Sequence, residues 1–167
     1  MKSNLLRIIS LVLIFYSLNY CSSDNVESQN VNESSLEVTN YIYISSELDT
    51  MALINDYRIS IGLNPLEKIN HISYKSEEHN NYMIANNVVN HNDFVARSQN
   101  IIEVLGATKV SENIAYNYNS PNTVFEAWMK SPKHKAIIIG GYTHFGISIR
   151  ENPINGKKYY TNIFAKI

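Results

Sequence analysis

Three residues carry most of the chemistry this chain offers. His91 follows Val88-Val89-Asn90, Glu112 sits in Ser111-Glu112-Asn113-Ile114-Ala115, and His134 lies in Ser131-Pro132-Lys133-His134-Lys135. These are polar, proton-exchanging side chains in marked surroundings, and the three are the best candidates for one shared polar site. The separations are 112 − 91 = 21 and 134 − 112 = 22 residues, beyond what one helix could gather. Only a tertiary fold can bring them together. A phosphate-cradling glycine loop, a Cys-x-x-Cys pair, a Gly-x-Ser-x-Gly elbow and a His-Glu-x-x-His helix are all missing, so the common enzyme signatures are absent.

The elements that must position these residues are legible as periods. Ser45 or Ser46 can cap a first helix, with Glu47 and Asp49 at its positive end and Leu53, Ile54, Tyr57 and Ile61 at helical spacing before Gly62. Ile72, Ser76, His79 and Met83 define a second helix that ends near Asn86 and Asn87. Ser98, Ile101, Ile102 and Leu105 define a third, stopped by Gly106. The fourth starts with Ser120 as cap and Pro121 at its first position, carries Val124, Ala127 and Trp128, and ends at Ser131-Pro132. Beyond Gly140-Gly141 the period becomes two, with Phe145, Ile147 and Ile149 alternating against Gly146, Ser148 and Arg150. Asn155-Gly156 then turns the chain into a second strand from Lys158 to Lys166. Helices first and an antiparallel hairpin last make an α+β layer arrangement.

The 167 residues are enough for one domain with extra sequence. Hydrophobic residues are 44% of the chain and charged residues 17%, with 12 Tyr, which is ample apolar surface for one core. The formal charge is −1, and no basic run exceeds Lys157-Lys158, so the footprint of a nucleic-acid partner is missing.

At the N-terminus, Lys2 and Arg7 precede an apolar run from Ile8 to Leu18, broken only by Ser10 and Ser17. It is shorter than the roughly 20 residues of a membrane span and has the size of a signal-peptide core. Ser17-Leu18-Asn19-Tyr20-Cys21 resembles the lipobox of bacterial lipoproteins and holds the only cysteine, although Asn19 and Tyr20 are bulkier than the small residues expected there. The reading is a signal peptide over residues 1–20, then a lipidated Cys21 and flexible tether over 21–44, then a domain over 45–167. The alternatives are an ordinary cleaved signal that leaves a free thiol and, ranked below it, an uncleaved membrane anchor. A lone exported cysteine has no internal disulfide partner, and acylation removes that liability. Loss of residues 1–20 leaves 12 basic and 15 acidic side chains, a formal charge of −3.

Over residues 45 to 167 the motifs together resemble the CAP superfamily, the SCP-like extracellular domain, in its bacterial form. Tyr57-Arg58 with Gly62-Leu63-Asn64-Pro65-Leu66 is similar to the end of that family's first helix, and His79, Met83 and His91 match the spacing of its second. Ser111-Glu112-Asn113-Ile114-Ala115 is similar to its Gly-Glu-Asn signature, with serine in place of glycine. Ala127-Trp128-Met129-Lys130-Ser131-Pro132-Lys133-His134 is similar to its tryptophan-to-histidine signature. Gly146-Ile147-Ser148-Ile149 and Tyr160-Thr161-Asn162-Ile163-Phe164 are similar to its final strands. The resemblance implies a three-layer α-β-α sandwich with a surface cleft, lined by two histidines and acidic residues, that can hold a divalent metal such as zinc, with His91, Glu112 and His134 as the ligand and metal residues. Two imidazoles and a carboxylate are a workable zinc set with an open fourth position. The second acidic residue of many eukaryotic members falls at Ser131 here.

Other readings of the same residues stand beside this one. His91 could buttress the end of the second helix, Glu112 could accept backbone hydrogen bonds, and His134 could be a solvated surface residue. His79 and Trp128 read as core and His144 as rim, while His71 has no pattern. In function the chain reads as a lipid-anchored binding module of the cell envelope, facing the periplasm or cell surface. Its partners would be the membrane, through the anchor, and a small-molecule, lipid or cell-wall ligand. Two alternatives are a metal-dependent hydrolase with Glu112 as base, and a lipid or sterol binder. Binding is favoured over catalysis because Ser131 stands where an acid or base is expected and no independent nucleophile is apparent.

Replacing Cys21 by Ser is expected to move the protein from the membrane pellet to the soluble fraction or to stall its maturation, because acyl chains contribute about 0.8 kcal/mol per buried methylene. Fractionation identical to wild type counts against lipidation.

Overall fold

The computed structural model describes residues 36–167; the expected signal peptide, Cys21 and the expected tether up to residue 35 lie outside the described residues. In chain order the elements are α1 (Ser45–Ser60), β1 (Glu67–Lys68), α2 (Asn70–Asn86), α3 (Phe94–Leu105), β2 (Lys109–Tyr116), α4 (Pro121–Lys130), α5 (Pro132–Ile138), β3 (His144–Glu151) and β4 (Lys158–Lys166). The sheet order is β1-β3-β4-β2, with β1 parallel to β3 and the other neighbours antiparallel. One helical layer is built from α2 and α3, and the other from α1, α4 and α5, so the fold is an α-β-α sandwich.

Several element ends follow directly from local chemistry. At the end of α1, Leu63 N–H donates to the Arg58 carbonyl and Gly62 N–H to that of Ile59, with Gly62 at φ +79°, a Schellman stop that glycine makes without strain. The Ser120 hydroxyl accepts from Thr123 N–H ahead of Pro121, as the sequence implied for α4. Ser131-Pro132 does end α4, but the same Pro132 opens α5, because proline at a first helical position loses no hydrogen bond. Three elements had no period to reveal them. β1 has two residues, α5 seven, and β2 mixes exposed Lys109, half-buried Val110 and Ser111, and buried Glu112 and Asn113, which masks alternation.

The β3 alternation is real, yet both its faces are covered. Phe145, Ile147 and Ile149 enter the core beneath α1 and α4, while Gly146 and Ser148 lie under α2. A Cβ at Gly146 would stand 2.6 Å from the Ile72 carbonyl carbon and closer still to the Ser73 nitrogen, so glycine there lets α2 settle onto the strand. The contact is polar. Ser76 Oγ donates to the Gly146 carbonyl at 3.2 Å, and Asn80 joins the Ser148 carbonyl at 2.7 Å to the Thr161 hydroxyl at 2.7 Å.

The stretch expected to be tether is laid against the domain from Val38 onward. Asn70 donates to the Thr39 carbonyl, Tyr43 shares a 2.9 Å hydrogen bond with Ser73, and Tyr41 joins Glu47 and Arg150. Val38 N–H donates to His71 Nδ1 at 3.1 Å, leaving Nε2–H to face the Asn100 Oδ1 at 2.8 Å. His71, which had no role in the sequence, is thus the buried post to which this segment is tied. Burial, the largest influence, holds its pKa below the usual 6.5. Because the folded value is depressed, the unfolded chain binds more protons in acid, so this contribution is complete above about pH 6.5 and is lost as pH falls through the lowered folded value. The melting temperature should therefore fall between pH 7 and pH 5, and fall less in His71→Gln, whose amide offers donor and acceptor at every pH. Equal drops in both chains would rule out His71 as the titrating group.

Candidate functional site

Glu112 lies in the middle of β2, the edge strand opposite β1, and its register against Ile163 turns it toward the α2 and α3 layer. Its carboxylate is almost wholly covered, with 1% of the side chain exposed. Arg97, one turn into α3, approaches from the same side. Its Nε donates to Oε2 at 3.1 Å, and its Nη2 to Oε1 at 3.0 Å and Oε2 at 2.9 Å. Bidentate pairing of this kind is the strong form of an ion pair, and burying it without a partner would be costly.

His91 completes the group. Its Nδ1 lies 2.8 Å from Glu112 Oε1, and since a carboxylate only accepts, Nδ1 carries the proton. The ring is 51% exposed, so its far edge, with Nε2, faces outward. The loop on either side is clamped. His79 Nε2, on α2, donates to the Asn90 carbonyl at 2.8 Å, and Arg97 Nη1 donates to that of Asn92 at 2.6 Å. Residues 90, 91 and 92 are each held from below by a different buried side chain. His79 is fully buried and stacks on Tyr82, with its pKa lowered chiefly by burial, so it is a core histidine that also positions the site.

His134 reaches this region from the other layer. It lies in the first turn of α5, and its carbonyl accepts from Asn113 Nδ2 at 3.1 Å, which ties α5 to the edge strand one residue beyond Glu112. Burial first, and then the charge of nearby His91, keep its pKa below 6.5. Ser131 is the junction residue between α4 and α5, its N–H returning to the carbonyls of Ala127 and Trp128. Ser111 points to the opposite face from Glu112, where its hydroxyl accepts from Tyr142 at 2.6 Å, so the serine in place of glycine has a partner of its own. Trp128 is buried and donates to the Ile114 carbonyl at 3.0 Å. His144 sits partly exposed at the β1 edge, hydrogen-bonded to Thr143.

The expected metal set needs Glu112 as a ligand, and the donor chemistry does not fit that role. Three bonds from Arg97 and one from His91 take up the roughly four acceptor sites of a carboxylate. Among the described residues, no group of three or more His, Cys, Asp or Glu side chains is arranged to hold a metal ion. Glu112 stands behind His91 rather than beside it. Arg97 is the member that sequence reasoning missed. Its signal was an arginine amid the apolar spacing of α3, a place where a charge must find a buried partner.

An α-β-α sandwich with two histidines and a buried glutamate at one sheet edge defines the class of small extracellular-type domains that the sequence motifs suggested. Residues 51–164 match the model of the CAP, or cysteine-rich secretory protein, family, and the chain belongs to that family. It is 30% identical over 129 residues to the uncharacterized membrane protein YlbC of Bacillus subtilis, covering 75% of this chain but only 36% of that protein, so the chain spans about a third of that relative's length. Among solved structures, an outer surface protein of Borrelia burgdorferi superposes with a TM-score of 0.66 at 19% identity, covering 77% of this chain and 98% of the other. An extracellular SCP-domain protein of Bacillus anthracis gives 0.64 at 19% identity, covering 73% and 40%. At that identity the likeness is one of fold.

Arg97→Met should cost about 3–5 kcal/mol by stranding a buried carboxylate, whereas Arg97→Met with Glu112→Gln should regain most of it. Urea midpoints decide this, and equal losses in the two variants would show that the pair is not energetically coupled.

Proposed function

We propose that this chain is an extracytoplasmic CAP-domain binding module of the cell envelope, carried by an acylated Cys21, whose ligand meets the outward edges of His91 and His134. The observation that carries this reading is the 2.8 Å bond between His91 and a carboxylate already neutralised by Arg97. It fixes one ring and leaves its Nε2 as the reactive edge, a preorganised recognition group. The placement in the envelope is supported by the names of similar proteins, a membrane protein and proteins described as outer surface and extracellular. Among the described residues no helix is long and apolar enough to cross a membrane, which suits an anchor outside the folded domain.

The hydrolase alternative is less well supported, because a general base must accept a proton from water and Glu112 has no open acceptor site with which to do so. Any divalent ion taken up in the cleft would contact the two imidazoles. The lipid reading needs an apolar recess, and the candidate lies at the opposite edge of the sheet, lined by Leu48, Met51, Leu66 and Phe145, at about 310 Å3. That is near the lower bound for a small-ligand site.

The full chain, reconstituted in vesicles, should retain purified cell-wall fragments, and His91→Ala with His134→Ala should lose that retention while melting within a few degrees of wild type. Retention unchanged in the double variant would mean that the ligand sits elsewhere.

A further inference from the structure

Arg97 has no exposed work: its Nε and both terminal nitrogens donate to Glu112 or to the Asn92 carbonyl. A guanidinium stays protonated at every physiological pH, so the positive charge beside Glu112 is permanent. A cation approaching the cleft therefore meets a carboxylate with its acceptor sites filled and its charge cancelled. The only open donor atoms in the group are imidazole nitrogens. We propose that Arg97 determines what ions the cleft accepts: by forking onto Glu112 it withholds the carboxylate from divalent cations and leaves two imidazoles with no anionic ligand. This rests on the reading of His91 and His134 as the contact face of the cleft.

The consequence is a site with nothing for oxygen-seeking ions such as magnesium or calcium, and only a partial set for zinc, which imidazole suits. It also makes Arg97 separable from the histidines. Removing the arginine should release Glu112 to swing toward a bound ion, and removing both charges should return the cleft to its original donor set, since a glutamine amide oxygen still accepts from His91 Nδ1.

The test is calorimetric titration of the full chain with zinc chloride, while the His91 and His134 ring signals are followed by NMR. Arg97→Met is expected to gain about tenfold or more in zinc affinity over wild type, and Arg97→Met with Glu112→Gln to give that gain back. If Arg97→Met does not fold, the double variant still decides: affinity within roughly threefold of wild type supports the proposal, and a loss beyond about tenfold shows that Glu112 was a ligand all along and overturns it. Folded Arg97→Met with no gain, or no zinc binding by any of the chains, also overturns it. A gain that leaves both ring signals unmoved overturns the cleft reading instead, whereas no gain with both rings responding leaves that reading intact and removes only the role of Arg97.

Discussion

A carboxylate carried into a protein on the inward face of a strand must be neutralised where it stands, because the alternative is several kilocalories of lost hydration. Glu112 is in that position. The register of β2 against β4 sends its side chain under α3, and Arg97 answers it with three hydrogen bonds. Much of the local architecture follows from that pairing. The same guanidinium reaches the Asn92 carbonyl, so the loop entering α3 is fastened by the group that neutralises the glutamate. His91 can then lean on a carboxylate that is fixed in place, and its outer edge is presented in one orientation.

The second layer contributes through a different kind of link. His134 belongs to a helix of seven residues that would have little stability in isolation, and it is held by its carbonyl to Asn113 rather than by its ring. Successive residues of the edge strand thus serve opposite faces: Glu112 supports the histidine above α3, and Asn113 the one on α5. Period two in a strand is usually read as inside against outside. In a sheet covered on both sides it means one helical layer against the other, and here it lets a single strand brace both histidine-bearing segments.

The sheet can sit this close to α2 because their interface is small and polar. Gly146, Ser148 and Thr161 face Ser73, Ser76 and Asn80, and the backbones approach to a distance that a methyl group would block. That approach places His79, the neighbour of Asn80, within reach of the Asn90 carbonyl. A core histidine, a buried arginine and a buried glutamate therefore act on three consecutive residues of one loop. A residue earmarked only as core filling turns out to help aim the site, which shows how a helix face can serve packing and function together.

Whatever depends on local period or on a turn residue was legible in the sequence. The first, second and fourth helices, the Gly62 and Gly106 stops, the Ser120-Pro121 start and the hairpin at Asn155-Gly156 all follow from interactions within a few residues, and the ordered motifs carried the family. Elements stabilised only by neighbours were not: β1 and α5 are too short to show a period, and β2 shows no alternation because polar Glu112 and Asn113 are its buried pair while Val110 is only half-buried. The same limit applied to the site. His91, Glu112 and His134 could be nominated by residue type, but whether Glu112 would be a ligand or a support depended on Arg97, 15 positions away on another element. No spacing encodes that pairing, because an ion pair between a helix and a strand is decided by how two layers pack, and the tertiary structure alone determined that the carboxylate was already taken.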